Sequence, residues 1–189
     1  MSRHGRAAGD DDGRRAARLL ERIRDVPDFP KPGIVFKDIT PLLADHDAFA
    51  SAVEWLVAPF RDSAVAVVAG IEARGFVLGG PAALSLGAGF VPVRKKGKLP
   101  GSTIEATYDL EYGSATIEVT SDAFSPGARV LVLDDVLATG GTAAATVELV
   151  RRCGAEVVGV SVLMELGFLS GRTALADVGI SEPHVLLTV

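Results

Sequence analysis

Cysteine, aromatic residues and surplus positive charge are all scarce in this chain of 189 residues. Cys153 is the single cysteine, so an internal disulfide cannot form and a zinc finger is excluded. Aromatic residues make up only 6%, and a mainly aliphatic core favours buried parallel strands and alanine-rich helices. With 24 acidic against 19 basic residues, the formal net charge of −5 provides no general positive field for nucleic acid, so no such partner is expected.

Long uninterrupted apolar segments are also missing. Residues 75–93 carry no charge, but glycines and prolines interrupt them, so they are predicted to form a buried helix with tight turns rather than a membrane span. Residues 1–18 lack the apolar region of a secretory signal. A lone cysteine suits a reducing compartment such as the cytoplasm, and no membrane partner is expected.

The length of the chain predicts one domain. Residues 1–15 offer little to bury and are predicted to be a disordered extension. Residues 16–189 are the predicted domain, and a helix is predicted over about residues 14–24, near its start. The prolines in residues 25–33 exclude a helix or a central strand, and an irregular loop is expected there.

Buried strands alternate with helices along the rest of the chain. The strands are continuous runs of β-forming residues, and the helices have apolar residues at helical spacing. Strands are predicted at 64–71, 90–94, 129–134 and 156–164, and helices at 47–60, 76–86 and 142–153. This order predicts an α/β fold in which helices flank a parallel sheet. Residues 103–107 and 114–119 are predicted as an antiparallel excursion from it.

The most informative segment is residues 129–142, where a buried strand ends in two acids and small residues lead into a helix. Such a loop lies at the carboxyl edge of the sheet, where ligands of open α/β sheets bind. We expect its backbone N–H groups and hydroxyls, together with the helix N-terminus, to hold a phosphate. The residues of this phosphate cradle are Ala138, Thr139, Gly140, Gly141 and Thr142.

Asp134 and Asp135 stand directly upstream of the phosphate cradle. Two carboxylates would repel a phosphate alone, but they can accept hydrogen bonds from the hydroxyls of a ribose that carries it. The sequence therefore predicts a ribose 5-phosphate site. Arg74 is expected at the same sheet edge, because it follows another buried strand and its planar fork suits phosphate oxygens.

The segment at residues 130–142 resembles the phosphoribosyl-pyrophosphate (PRPP) motif of the type I phosphoribosyltransferases. Further segments resemble motifs of the adenine phosphoribosyltransferase branch of that family: residues 28–41, 70–76, 94–100 and 108–113. The resemblance implies the type I fold, with a small N-terminal hood and a mobile lid. It also implies the reaction of adenine with PRPP to give AMP and pyrophosphate in purine salvage, carried out by a cytoplasmic homodimer that uses Mg²⁺.

The resemblance also implies which residues meet pyrophosphate. Glu72, Ala73 and Arg74 form the expected contact turn, with a cis peptide bond between Glu72 and Ala73. Arg94 and Lys98 are expected to approach the same group. No protein metal site is implied, because Mg²⁺ is expected to be held mainly through PRPP.

By the same resemblance, residues 99–120 correspond to the family's lid, which closes over the substrates and excludes water. Glu111 and Tyr112 at its tip are the expected catalytic residues, together with Arg74. Glu111 is the candidate acid–base group acting on the purine.

The expected adenine pocket uses Val35, Phe36, Lys37 and Leu166, with the ring of Phe36 stacking on the base. The family frequently has arginine where this chain has Lys37. Lysine lacks the planar fork of arginine, which leaves open whether Lys37 contacts the base.

Two alternative functions are consistent with a PRPP site. One is transfer to another base, such as xanthine, hypoxanthine, guanine or orotate, and the adenine-like segments at 28–33 and 108–112 disfavour it. The other is a regulator that binds PRPP only as an effector. Such a regulator needs a DNA-binding domain, for which residues 1–24 are too short.

Overall fold

The computed structural model describes residues 5–109 and 113–189, with side chains described over 12–108 and 113–189. The chain divides into two compact units, Met1–Trp55 and Leu56–Val189. The proposed division into a disordered extension and a single domain is not decided by these units and stays a prediction.

The first unit is built from short elements. Its elements in chain order are α1 (Gly5–Leu20), β1 (Arg24–Pro27), β2 (Val35–Asp38), α2 (Thr40–Ala44) and α3 (His46–Val57). The first helix begins before residue 14 and ends before residue 24, because the chain turns after Leu20 and enters β1, which pairs antiparallel with β2. This two-stranded ribbon was not predicted from the proline-rich sequence.

The second unit contains the main sheet. Its elements are a 3₁₀ turn (Ala58–Phe60), β3 (Val67–Ile71), α4 (Arg74–Leu86), β4 (Gly89–Lys95), β5 (Thr103–Asp109), β6 (Ser114–Thr120), β7 (Arg129–Leu137), α5 (Gly141–Arg152), β8 (Glu156–Glu165), α6 (Gly171–Asp177) and β9 (His184–Thr188). In the described part of the chain these strands form a seven-stranded sheet in the order β5-β6-β4-β3-β7-β8-β9.

The sheet is parallel from β4 to β9 and antiparallel at its other edge, where β6 pairs with β4 and β5. The predicted α/β fold and the antiparallel excursion are therefore confirmed. Val130 and Val132 of β7 are fully buried in one core cluster with Val147 and Val150 of α5. Leu131 between them is equally buried, as expected for a strand covered on both faces.

The uncharged stretch at residues 75–93 forms most of α4 and β4. Gly87 ends α4 in the left-handed conformation, with φ 65°, which glycine adopts without steric cost. The predicted helix and the tight turn after it are confirmed, but α4 is buried on one face only, because Val77 and Leu84 on its other face are exposed. Among the residues that the structure describes, no helix is both long and apolar enough to cross a membrane.

Candidate functional site

A cavity of about 190 Å³ opens in the second unit, at the carboxyl ends of β3 and β7. Parallel strands bring the residues that follow them to one edge, so segments distant in sequence meet there. Six of the predicted site residues line this cavity: Glu72, Ala73, Arg74, Asp134, Asp135 and Thr142. Lys95, Tyr108 and Val136 line it as well and were not predicted as site residues.

The two acids belong to β7 itself, which continues to Leu137 rather than ending at residue 134. Asp135 is buried and Asp134 is half-buried. The Asp135 N–H donates to Asp134 Oδ1 at 2.8 Å. A Cβ atom at Gly75 would lie 2.9 Å from the same oxygen, so the lack of a side chain at Gly75 lets α4 begin directly against the carboxylate.

Arg74 provides a positive charge beside this pair. Its Nε lies 2.7 Å from Asp135 Oδ2. That oxygen receives no directed hydrogen bond among the described residues, so the contact is an ion pair in which the N–H does not point at the oxygen.

Both acids are harder to ionise than an ordinary aspartate. Burial raises the pKa of Asp134 well above its usual value, and the neighbouring carboxylate of Asp135 raises it further. Burial also raises the pKa of Asp135, while the Arg74 guanidinium opposes that shift. Without a ligand, the pair therefore resists holding two negative charges, and it gains from partners that donate hydrogen bonds.

Residues 138–140 of the predicted phosphate cradle lie between β7 and α5, and Gly141 and Thr142 begin α5. Gly140 has φ 83° and stands directly before α5. A Cβ atom at Gly140 would collide with the backbone oxygen of Gly171, and one at Gly171 would collide with that of Ala138. The two glycines therefore allow the start of α6 to pack closely against the loop.

One side chain of the cradle already has a partner. Thr142 Oγ1 donates a hydrogen bond to the phenol oxygen of Tyr108 at 2.8 Å. Tyr108 belongs to β5 and packs against the core. It stands within a segment that carries the family resemblance, but only the pairing of β5 with the rest of the sheet places it beside the cradle.

The turn after β3 has the predicted cis peptide bond between Glu72 and Ala73. Glu72 Oε2 accepts hydrogen bonds from Arg94 Nε at 3.1 Å and from the Lys95 N–H at 2.9 Å. Arg94 Nη1 also donates to the backbone oxygen of Lys98 at 3.1 Å. Arg94 and Lys98 are absent from the cavity lining, but this network connects them to its wall.

A buried acid holds the segment that carries Lys98. Glu118 of β6 is only 3% exposed, and its Oε1 accepts the N–H groups of Lys98 and Leu99, both at 2.9 Å. Burial by itself raises the pKa of Glu118, but these backbone hydrogen bonds outweigh it and lower the pKa below its usual value. The alternating pattern of β6 did not predict this role, since β6 is buried around Ile117, Glu118 and Val119 alike.

The predicted adenine residues lie in both units. Val35, Phe36 and Lys37 belong to β2 of the first unit. Lys37 Nζ forms an ion pair with Asp25 at 2.8 Å. Leu166 follows β8 in the second unit, and its N–H donates to the Leu137 oxygen at 2.9 Å, next to the cradle.

Two predicted catalytic residues, Glu111 and Tyr112, lie outside the described residues, because the described chain stops at 109 and resumes at 113. Strands β5 and β6, which flank them, are paired up to Asp109 and Ser114. The roles of Glu111 and Tyr112 therefore stay predictions.

A larger cavity of about 400 Å³ lies in the first unit, among arginines of α1 and acids near the start of α3. It contains none of the predicted site residues, and its charges are partly paired, as in the Arg22–Asp45 contact of 3.1 Å. We place the site at the smaller cavity, because the paired acids, Arg74 and Thr142 in the first turn of α5 line it. Over the described residues, no cluster of three or more histidine, cysteine or acidic side chains is arranged to hold a metal.

Comparison with known proteins gives consistent matches. Residues 41–173 match the model of the phosphoribosyl transferase domain. An adenine phosphoribosyltransferase of Thermobifida fusca is 59% identical over 172 residues, which are 90% of this chain and 96% of that protein.

Solved structures agree with the sequence matches. The adenine phosphoribosyltransferase of Rhodothermus marinus has a TM-score of 0.88 at 52% identity and covers 94% of this chain and 99% of its own. The enzyme of Saccharomyces cerevisiae, solved with an imino-altritol bisphosphate and adenine, has a TM-score of 0.83 at 38% identity, covering 92% and 97%.

Proposed function

Since the chain belongs to the adenine phosphoribosyltransferase family, we propose that it transfers the phosphoribosyl group of PRPP to adenine, giving AMP and pyrophosphate. The observation that supports this most directly is the position of the acidic pair. Asp134 and Asp135 lie between a glycine loop at the N-terminus of α5 and the Arg74 guanidinium. Carboxylates can accept hydrogen bonds from the ribose hydroxyls, and the glycine loop and the guanidinium can each bind a phosphate group. This arrangement fits a ribose that carries phosphate groups at both ends.

The ribose and its 5′-phosphate occupy the β7–α5 side of the site in this proposal. Asp134 and Asp135 accept hydrogen bonds from the 2′- and 3′-hydroxyls. The N–H groups and hydroxyls of the phosphate cradle, residues 138–142, hold the 5′-phosphate. The raised pKa of the acids supports this assignment, because hydroxyl donors relieve the cost of burying their charge.

Pyrophosphate occupies the side formed by the turn at residues 72–74. Arg74 exchanges its contact with Asp135 for the phosphate oxygens, and Arg94 and Lys98 add positive charge nearby. Glu72 acts mainly by holding Arg94 and the N–H of Lys95. These cations stabilise the charge that develops on pyrophosphate as its bond to ribose C1 breaks.

The residues present fit Mg²⁺ only in part. The carboxylate oxygens of Asp134 and Asp135 are of the type that Mg²⁺ prefers. However, Arg74 stands 2.7 Å from Asp135 Oδ2 and would compete with a directly bound cation. We therefore propose that Mg²⁺ enters with PRPP and is held mainly by it, where it would disperse the negative charge of pyrophosphate.

In the chemical step, the bond between adenine N9 and ribose C1 forms as the bond from C1 to pyrophosphate breaks. The proton of the adenine ring must leave, and Glu111 is the proposed group that receives it. Glu111 and Tyr112 act from the lid, which excludes water while C1 is electron-poor. Val35, Phe36, Lys37 and Leu166 stay the predicted adenine-binding residues.

The proposed enzyme is a cytoplasmic homodimer. The exposed face of α4 supports self-association, because Val77 and Leu84 are 43% and 84% exposed and lie two helical turns apart. A second copy of the chain is the partner that this face is proposed to bind.

The test is to incubate the protein with PRPP, Mg²⁺ and one base at a time, and to quantify nucleotide and pyrophosphate. We expect kcat/KM for adenine to exceed that for guanine, hypoxanthine and xanthine by at least ~100-fold, since a mismatched base leaves buried polar groups unpaired. A reaction without any base measures PRPP hydrolysis and is the control. Comparable rates with guanine would contradict the proposal for adenine, and no nucleotide with any base would contradict transferase activity.

A further inference from the structure

Tyr108 and Thr142 connect two parts of the site that are far apart in sequence. The Thr142 hydroxyl, in the first turn of α5, donates to the Tyr108 phenol oxygen at 2.8 Å. Both residues line the cavity that contains Asp134 and Asp135. The ring of Tyr108 packs against the core cluster, so its hydroxyl is presented at a fixed position.

Strand β5 is held along α5 at both ends of the helix. At the other end, Arg152 Nη1 donates to the Glu105 oxygen at 2.6 Å. Glu105 and Tyr108 are three residues apart on the same strand. Of these two contacts, the one between Thr142 and Tyr108 lies in the cavity lining, and the one between Arg152 and Glu105 lies outside it.

Hydroxyl groups both donate and accept, which allows this hydrogen bond to change direction. An anionic phosphate oxygen is a stronger acceptor than a phenol. When a phosphate enters the cradle, the Thr142 hydroxyl can donate to it, and Tyr108 can then donate to Thr142 Oγ1. Consecutive hydrogen bonds of this kind polarise and strengthen one another.

We propose that Tyr108 is a positioning residue of the phosphate cradle, which orients the Thr142 hydroxyl toward the 5′-phosphate through a chain from phenol to threonine to phosphate. The inference rests on the proposed function, because it places the 5′-phosphate at residues 138–142. It assigns Tyr108 no direct contact with the reacting atoms.

Tyr108→Phe removes one hydroxyl and keeps the ring in the core. Titration calorimetry with ribose 5-phosphate should show roughly 5–10-fold weaker binding, the effect of one hydrogen bond. Binding of pyrophosphate with Mg²⁺, which does not reach the cradle, should be unchanged. In turnover, KM for PRPP should rise by a similar factor while kcat stays the same, because the contact holds substrate and transition state equally.

Three further substitutions distinguish this role from strand packing. In a Thr142→Val background, Tyr108→Phe should cause no additional loss of ribose 5-phosphate binding, because the chain is already broken. Thr142→Ser keeps the hydroxyl and should retain the response to Tyr108→Phe. Arg152→Met loosens the other end of the β5–α5 contact and should leave ribose 5-phosphate binding unchanged.

Unchanged ribose 5-phosphate binding in Tyr108→Phe overturns the inference. So does an equal loss in the Thr142→Val background, which would mean that Tyr108 acts only by packing. Because binding is measured without turnover, the proposed function and the proposed role of Tyr108 can each be refuted without the other. A wild-type protein that binds ribose 5-phosphate through Tyr108 but makes no AMP refutes the proposed function alone, and one that makes AMP with no Tyr108 effect refutes the inference alone.

Discussion

Arg74 and Asp135 form an ion pair in which Nε and Oδ2 are 2.7 Å apart, and the Asp135 side chain is only 5% exposed. One guanidinium thus faces two adjacent carboxylates. Asp134 takes little benefit from it, since burial and the charge of Asp135 raise its pKa well above the usual value. A neutral residue at position 134 should therefore raise the free energy of unfolding of the ligand-free protein. The same change should weaken substrate binding, because it removes a charged hydrogen-bond acceptor.

Asp134→Asn should stabilise the ligand-free protein and weaken its binding of ribose 5-phosphate. A group whose pKa is raised by folding contributes stability that is present below its unfolded value, here 3.8, and that is lost as pH rises through the folded pKa. Asparagine cannot lose a proton, so its advantage in unfolding free energy should grow with pH. Ribose 5-phosphate affinity should fall by about 10–100-fold, the range for a hydrogen bond to a charged group.

Urea unfolding at several pH values measures the first effect, and calorimetry measures the second. The exposed Asp122 is the matched control, because Asp122→Asn removes the same charge far from the acidic pair in sequence. A stability gain that does not vary with pH would argue against a raised pKa as its cause.

Gly140→Ala should damage both stability and phosphate binding. Gly140 has φ 83°, and a Cβ atom there would collide with the backbone oxygen of Gly171. Gly154→Ala is a matched control, because Gly154 has φ 79° with nothing within 4 Å of an added Cβ. Each variant should lose about 1–2 kcal/mol of unfolding free energy for the left-handed conformation. Gly140→Ala should lose a further ~1–3 kcal/mol for overpacking, together with ribose 5-phosphate affinity.

The sequence predicts the order of strand, loop and helix around Gly140 well, because the determinants of that order are local. Strand β7, the loop that contains Gly140 and helix α5 follow one another within a short segment, so hydrophobic pattern and glycine position are sufficient. The predicted end of β7 at residue 134 was wrong, since the strand continues to Leu137. Pairing with β8 extends to that residue, and a neighbouring strand does not show in the local pattern.

The hydrogen-bond partners of the phosphate cradle and of the segment that carries Lys98 depend on how the strands pair. Tyr108 reaches Thr142 only because β5 is the edge strand that lies along α5. Glu118 is buried because β6 lies between β5 and β4, although a charged residue in an alternating strand would be expected on a solvated face. Contacts of this kind join residues tens of positions apart and cannot be obtained from composition or periodicity.

Glu111 should matter mainly in the transition state if it acts from a lid. Glu111→Ala is expected to lower kcat by roughly 10²–10⁴, the usual range for a positioned acid–base group, with PRPP binding to the free enzyme little changed. Glu111→Gln keeps the size but cannot exchange a proton. Near-normal kcat in the glutamine variant would make Glu111 a positioning residue, and near-normal kcat in the alanine variant would refute the lid.

Glu105→Gln is the control for Glu111. Glu105 belongs to the same pair of strands, but its carboxylate forms an ion pair with Lys96 at 2.8 Å, away from the cavity lining. Its loss should leave kcat within about twofold, because an exposed ion pair contributes little.

Glu118→Gln should destabilise the protein in a pH-dependent way. The pKa of Glu118 is lowered in the folded state by backbone hydrogen bonds that outweigh its burial. A lowered pKa contributes stability that is present above the unfolded value, 4.5, and that is lost as pH falls through the folded pKa. The difference in unfolding free energy between wild type and Glu118→Gln should therefore be largest near neutral pH and shrink in acid.

The exposed Glu182 provides the control substitution, Glu182→Gln. A difference that stays constant with pH would mean that the Glu118 side chain acts by shape rather than by charge. A pH-dependent loss accompanied by weaker pyrophosphate binding would show that Glu118 holds the segment of Lys98 in place.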